Sequence, residues 1–301
     1  MKMLLYINMF SFISCSKLIG KSYNMIPKTI TSSIKNKYVF NNIIKNKHNE
    51  HFSDEEYELY LVNNNKQLND KKLLSISPGG FKGFYQFGIL SYIKKNYNLD
   101  NFIFTGASAG AWNCLFMSFK PDTRLLKKEM FGSNIINSKS LYDLQYNLKD
   151  MILTKFSDDD FELDKLFLGV TTFRNFEIKT NIYTDFDDLE DAIDCCIASS
   201  HIPFITGTMI NKYHDRYSFD GGFSSYPYLN ITRPVLHITP DLWDNAYTNK
   251  KGIINNNYDE RNKAFKEIVY GRKFNLLELY YKGYEDSKLH KEYLDTIFIN
   301  E

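Results

Sequence analysis

The 301-residue chain lacks a strong charge of either sign, because 37 Lys and Arg residues are balanced by 36 Asp and Glu residues. Proteins that bind nucleic acid, or that an anionic membrane captures by charge alone, usually carry a basic excess. The balance therefore argues against a nucleic-acid partner. It leaves apolar contact as the main route to any membrane surface.

Long apolar runs and cysteines are also scarce. The apolar stretch from Met3 to Cys15 is interrupted by polar residues and is shorter than the roughly 20 residues of a spanning helix. We interpret it as a mobile or interfacial leader, with a signal-peptide core as the alternative. The four cysteines match no zinc pattern and favour free thiols in a reducing compartment. We therefore expect a cytoplasmic or peripheral membrane protein rather than a secreted one.

The texture of the sequence divides the chain into three parts. Residues 1–70 are predicted to be an N-terminal extension, with linker or loosely packed helix over 41–70. Residues 71–245 form the main domain. Its first half predicts a strand at 73–77, a helix at 84–97, a strand at 102–105 and a helix at 109–118. This alternation predicts an α/β fold with a mostly parallel sheet and helices on its faces.

Weaker signals follow in the second half of the chain. They predict a strand hairpin over 170–174 and 177–184, a helix over 189–200, and strands at 216–219 and 234–238. Apolar residues at helical spacing predict two helices over 259–294. We expect this C-terminal segment, 246–301, to pack on the main domain.

The pentapeptide from Gly106 to Gly110 places Ser108 between the second predicted strand and its helix. A strand, a sharp turn and a helix around G-x-S-x-G are typical of a nucleophile elbow. The small residues leave no bulk where the backbone turns and a substrate carbonyl approaches. The alternative is that Ser108 only caps the helix.

A second glycine turn, Pro78-Gly79-Gly80-Phe81-Lys82-Gly83, also joins a strand to a helix. Consecutive glycines leave backbone N–H groups bare, which is the geometry that an oxyanion hole needs. A phosphate-binding turn or a plain loop is the alternative. A dinucleotide turn is disfavoured, because Pro78 occupies the first glycine position of G-x-G-x-x-G.

Asp220 comes at the end of a predicted strand and is followed by Gly221 and Gly222. Such a carboxylate can face a pocket as a general base, although the tripeptide alone also predicts a simple turn. His201, His214 and His237 are the candidates for a Ser-His-Asp triad. His237 follows Asp220 in the chain, as in α/β-hydrolases, but it lies in an apolar segment typical of a buried strand.

Together these motifs resemble those of the patatin-like phospholipases, a family of lipid acyl hydrolases, over residues 70–240. The segment from Ile197 to Phe204 is similar to the family's Ala-Ser-x-x-x-Pro segment. The resemblance implies a three-layer α/β/α fold in which 71–245 is the catalytic domain. It implies Ser108 as nucleophile, Asp220 as its base, and an oxyanion hole built from Gly79, Gly80 and Phe81. The other motif residues are Lys82, Gly83, Gly106, Gly110, Gly221 and Gly222.

The implied activity is hydrolysis of a phospholipid or acylglycerol ester through an acyl-Ser108 intermediate, without metal or cofactor. The expected partners are the lipid ester and, transiently, a membrane or lipid-droplet surface. Pro78 stands where many members of the family have glycine. The alternative is therefore a catalytically weak lipid-binding protein with the same fold. Phospholipid, lysophospholipid, triacylglycerol and galactolipid all fit these motifs as substrates.

Overall fold

The computed structural model of the chain describes residues 42–45, 68, 70–174, 177–224, 226–230, 233–243 and 275–299. All of them belong to one compact unit, Asn41–Glu301. The apolar stretch from Met3 to Cys15 and the first of the two helices predicted over 259–294 lie outside the described residues. The boundaries at 70 and 245 stay a prediction.

The strands are β1 (Asn42–Lys45), β2 (Lys72–Ile76), β3 (Phe102–Gly106), β4 (Leu166–Arg174), β5 (Glu177–Thr184), β6 (Asn211–Tyr213), β7 (Arg216–Phe219) and β8 (Leu236–Ile238). The helices are α1 (Gly83–Asn96), α2 (Ala109–Ser118), α3 (Thr123–Met130), α4 (Ser133–Ile136), α5 (Leu141–Lys155), α6 (Leu189–Ser199), α7 (Leu276–Leu289) and α8 (Lys291–Phe298). None of the described helices is both long enough and apolar enough to span a bilayer.

The central sheet has the strand order β1-β5-β4-β3-β2-β8. Pairing is parallel between β1 and β5 and along the run β4-β3-β2-β8. It is antiparallel where β4 meets β5 and β7, and where β7 meets β6. The predicted α/β class with a mostly parallel sheet and flanking helices is confirmed. The segment 41–70, interpreted from sequence as linker or loose helix, contributes the strand β1.

The middle of the sheet is buried on both faces, which explains why its strands read as continuous apolar runs. Because side chains alternate across a strand, β2 and β3 send one set of residues to each face. The larger core receives Leu74, Ile76, Phe102 and Phe104. The smaller core receives Leu73 and Ile103. Helices α1, α2 and α6 contribute to the larger core, and α2 starts at the end of β3.

Helix α7 packs closely against α1 through two glycines. A Cβ added at Gly88 would lie 2.0 Å from the carbonyl oxygen of Tyr280, and one at Gly283 would lie 2.0 Å from that of Tyr85. Only glycine permits this backbone approach at both positions. The ring of Phe87 then packs beside that of Tyr280, with centroids 5.1 Å apart. The crossing holds α7 against α1, the helix that follows the first glycine turn.

The sequence patterns gave no prediction for helices α3 and α5. Helix α5 has a usable signal: Ser140 caps it by accepting a hydrogen bond from the backbone of Asp143, and Leu144, Leu148 and Ile152 recur at four-residue spacing. Strand β4 begins at Leu166, four residues before the predicted hairpin strand. Residues 166–168 of β4 pair with β3 and so connect the hairpin to the parallel part of the sheet.

Candidate active site

Strand β4 brings together the ends of two strands that are remote in sequence. Strand β3 runs parallel to it and ends with Gly106 opposite Leu168. Strand β7 runs antiparallel to it and ends with Phe219 opposite Thr171. The chain segments that leave β3 and β7 therefore meet over Gly169. This pairing, rather than any local spacing, positions Ser108 beside Asp220.

Ser108 occupies the turn between β3 and α2 in a strained backbone conformation. Its φ is 55° and its ψ is −126°, a region that non-glycine residues rarely adopt. Such a backbone conformation lowers the free energy of unfolding by about 1–3 kcal/mol, so surrounding contacts must hold it. The turn is tight, because a Cβ at Gly110 would lie 2.1 Å from the carbonyl oxygen of Ile76. This is the sharp strand-to-helix turn that the sequence predicted.

The Ser108 side chain does not cap helix α2. Its hydroxyl instead donates a 2.6 Å hydrogen bond to Oδ2 of Asp220, across 112 positions of sequence. Both residues are nearly buried, with 7% of Ser108 and 6% of Asp220 exposed. The alternative of a simple capping serine is wrong, and the hydroxyl faces the carboxylate.

The Asp220 carboxylate is held on both oxygens. Oδ1 accepts a 2.7 Å hydrogen bond from the backbone N–H of Gly222, while Oδ2 accepts from Ser108. The backbone N–H of Asp220 donates to the carbonyl of His201 over 2.7 Å. Burial raises the pKa of Asp220 to about 6, although its hydrogen bonds to Ser108 and Gly222 lower it. The carboxylate is therefore ionised only above mildly acidic pH.

Ser199, at the end of α6, supports the strained backbone of Ser108. The Ser108 N–H donates a 2.8 Å hydrogen bond to the Ser199 hydroxyl, and that hydroxyl donates over 2.6 Å to the carbonyl of Gly169. Sequence analysis placed Ser199 in the Ala-Ser segment but gave it no role. The segment itself was the available signal.

The first glycine turn lies against the same site. Gly80 has a φ of 52°, which favours glycine, and begins a short 3₁₀ helix, Gly80–Lys82. The backbone N–H groups of Gly79 and Gly80 meet no acceptor among the described residues. The turn reaches the carboxylate end of the site, because a Cβ at Gly222 would touch both Asp220 Oδ1, at 2.9 Å, and the Pro78 ring, at 3.1 Å.

The other predicted motif residues lie around this turn and the elbow. Phe81 is half-buried and packs against the larger core, and Lys82 is half-buried in the 3₁₀ helix. The remaining glycines lie where an added Cβ would come within 3.0 Å of another atom: Gly79, Gly83, Gly106, Gly221 and Gly222. The structure thus brings Ser108, Asp220 and the glycines of the three motifs into one region.

Two buried amides that sequence analysis missed brace the glycine turn. The Gln86 Nε2 donates to the carbonyls of Ser77 and Ile238, over 2.9 and 3.2 Å, and so ties the ends of β2 and β8 together. The Asn113 Nδ2 donates to the carbonyl of Gly83 over 3.1 Å. Neither residue belongs to a recognisable motif, and their roles depend on burial that only the fold creates.

The candidate triad histidines have other neighbours. His237 lies 2.5 Å from the hydroxyl of Ser75 through Nδ1, on the edge strand β8. His214 lies 3.4 Å from a carboxylate oxygen of Asp191. His201 is buried, and burial lowers its pKa to about 4. In the described part of the chain, the Ser108 hydroxyl therefore bonds to a carboxylate and not to an imidazole.

The arrangement joins a buried hydroxyl to a carboxylate whose pKa allows it to accept a proton near neutral pH. Ser108 also precedes the first turn of α2, where the helix dipole favours negative charge.

A family model described as patatin-like phospholipase matches residues 74–229, more than half of the 301-residue chain. No curated protein matches the chain. The match covers the elbow, the glycine turn and Asp220. The chain therefore belongs to the patatin-like phospholipases, a family of lipid acyl hydrolases.

Proposed function

We propose that the protein is a serine hydrolase of lipid carboxyl esters, with Ser108 as nucleophile and Asp220 as general base. The observation that carries the proposal is the 2.6 Å hydrogen bond from the Ser108 hydroxyl to the buried Asp220 carboxylate. A serine hydroxyl is a weak nucleophile unless a neighbouring base accepts its proton. Family membership supports lipid esters as the substrate class.

In the proposed first step, Ser108 Oγ attacks the ester carbonyl carbon while Asp220 Oδ2 takes the hydroxyl proton. The tetrahedral intermediate collapses, the bond to the leaving oxygen breaks, and Asp220 returns the proton to the departing alcohol. Water then attacks acyl-Ser108 and gives a proton to Asp220. That proton returns to Ser108 Oγ as the fatty acid leaves, so both residues end in their starting states.

The oxyanion is assigned to the backbone N–H groups of Gly79 and Gly80, with Phe81 as a third donor. The bare amides of the two glycines support this assignment. Losing one such donor typically costs about 10²–10³ in rate. An aspartate base also needs a dry site, because it accepts a serine proton only weakly in water. A bound acyl chain would exclude that water, which favours long-chain esters.

The test combines covalent labelling with turnover. We expect a fluorophosphonate to label Ser108 in the folded full-length chain. A panel of phospholipids, lysophospholipids, triacylglycerols and galactolipids then identifies the substrate. Ser108→Ala and Asp220→Asn should each abolish turnover. Ser138→Ala and Asp159→Asn are the matched controls and should retain it, because neither side chain is buried and neither bonds to a residue of the site.

An unlabelled but folded wild-type chain would contradict the proposal. Lipid binding with turnover no better than that of Ser108→Ala would instead support the alternative of a weak lipid-binding protein. We propose Ser108 and Asp220 as a two-residue catalytic unit, so His237→Ala should spare activity. A loss of activity in that variant, with folding retained, would favour a triad.

A further inference from the structure

The loop from Ile202 to Ile210, called here the apolar loop, exposes an unusual set of side chains. Phe204 is 54% exposed, and Met209 and Ile210 are each 48% exposed. Single exposed apolar residues are normal on soluble proteins, but three on one nine-residue loop form a patch. The loop connects α6 to β6, so it is anchored at both ends by regular structure.

The apolar loop is braced from below. The Thr206 hydroxyl accepts from the backbone N–H of Ile202 over 2.8 Å and donates to the carbonyl of Ser200 over 2.7 Å. The amide of Gln145, on α5, donates to the carbonyl of Thr206 over 2.5 Å. Phe204 has a φ of 65°, a strained value that this frame maintains. These contacts hold the backbone of the loop between Ser200 and Thr206, on which the exposed Phe204 lies.

The loop also adjoins the proposed catalytic base. The carbonyl of His201, one residue before the loop, accepts the hydrogen bond from the Asp220 backbone N–H. Phe223, three residues after Asp220, is itself 38% exposed. This hydrogen bond joins the start of the loop to the segment that carries the carboxylate, and both segments expose apolar side chains.

The loop itself carries no acidic side chain that would be repelled by an anionic surface. No Asp or Glu occurs from 195 to 214. The first charged residue after the loop is Lys212, which is exposed and extends its ammonium over the ring of Tyr217, 5.1 Å from the centroid. An apolar patch with aromatic residues and a flanking cation is typical of protein segments that enter the boundary between headgroups and acyl chains.

We propose that the apolar loop docks the protein on a phospholipid surface, with Phe204, Met209 and Ile210 inserted below the headgroups and Lys212 at the level of the phosphates. This inference rests on the proposed function, because a lipid ester held in a bilayer reaches Ser108 only if the site lies at that surface. Docking at the loop would bring the site close to that surface, because the carbonyl of His201, next to the loop, accepts the hydrogen bond from the Asp220 N–H.

The test measures docking apart from catalysis. Full-length Ser108→Ala is mixed with sedimenting vesicles of phosphatidylcholine containing phosphatidylglycerol, and bound protein is measured at low and high salt. Adding Phe204→Ser, Met209→Ser and Ile210→Ser together should lower the partition coefficient by about tenfold per side chain. The control adds Leu289→Ser and Ile299→Ser, which remove exposed apolar side chains from α7 and the C-terminal end, and it should bind unchanged. Lys212→Gln should weaken binding only at low salt.

A second variant keeps the test valid if the triple variant misfolds. In Phe204→Trp, the emission gained over the parent, which contains Trp112 and Trp243, should shift to the blue when vesicles are added. A quencher placed in the acyl region should reduce that added emission. An emission spectrum unchanged by vesicles that do bind the protein would overturn the proposal. So would equal vesicle binding by the triple variant and its parent, or no binding by the parent.

The proposed function fails separately. With the active serine restored, the triple variant should keep its labelling by a fluorophosphonate and its turnover of a water-soluble short-chain ester, while losing turnover of vesicle lipid. Loss of labelling in the wild type would count against the catalytic proposal and leave the vesicle-binding result to decide docking. A loop-dependent dimer in sedimentation velocity, without vesicle binding, would identify a second copy of the chain as the occupant and overturn the proposal.

Discussion

Replacing Asp220 by Asn should make the protein more stable at neutral pH while it removes activity. The amide can keep both hydrogen bonds, because its oxygen can accept from Gly222 and its nitrogen can donate to the Ser108 hydroxyl. What the substitution removes is a buried charge. The native structure keeps that charge out of water at the expense of folding free energy.

The magnitude follows from the pKa of Asp220. Burial raises that pKa from 3.8 to about 6. At about 1.4 kcal/mol per pH unit, the difference corresponds to about 3 kcal/mol. Because the folded state binds the proton more tightly, the stability due to protonation is complete below pH 3.8 and is lost as the pH rises through about 6. Wild type should therefore be destabilised relative to the Asn variant above that range.

The assay is urea unfolding of wild type and Asp220→Asn at several pH values. At about pH 7.5 the variant should have a free energy of unfolding higher by about 3 kcal/mol, and by about pH 4.5 that advantage should fall by about 2 kcal/mol. Comparing the two chains cancels the other carboxylates, and Asp159→Asn, an exposed control, should show no such trend. A variant that is less stable at neutral pH, or an advantage independent of pH, would refute the reasoning.

Three further predictions concern the pH profile of activity, the support of Ser108 and the α1–α7 crossing. For a soluble ester, kcat/KM should fall about tenfold per pH unit below about pH 6, where Asp220 becomes protonated, and a flat profile would exclude it as the base. Ser199→Ala leaves the Ser108 N–H unpaired, so steady-state kinetics should show kcat lowered about 10–100-fold with KM little changed. Gly88→Ala places a Cβ 2.0 Å from the carbonyl oxygen of Tyr280, so urea unfolding should show a loss of about 1–3 kcal/mol; an unchanged midpoint would show that the α1–α7 crossing can adjust freely.

Much of the fold could be predicted where one local pattern dominates. Strands β2 and β3 are mostly apolar because both faces are buried, and each is followed by a glycine-rich turn and a helix. Helix α5 was not predicted, although Ser140 and the spacing of its leucines were a usable signal. The polar Gln145 is also buried in this helix. That side chain is buried because it binds the carbonyl of Thr206, a contact that local sequence does not reveal.

Sequence analysis named the residues of the candidate site, but it did not name the residues that hold them in place. Each motif predicted its own turn, and family resemblance grouped the motifs. The hydroxyl of Ser199, the amide of Gln86 and the exposed side chains of the apolar loop acquire their roles through neighbours at least 30 positions away, or through the surface they share. No spacing rule connects such residues.

By itself, the sequence determined the local backbone: a serine in a strained turn between β3 and α2, a glycine turn after β2, and an aspartate at the end of β7. Those features depend on residue size and hydrogen bonding within a few positions. Only the tertiary structure decided that the serine meets the aspartate. Strands β3 and β7 pair with β4 in opposite directions and end on either side of Gly169. This long-range pairing, stabilised by burial of both sheet faces, brings Ser108 next to Asp220.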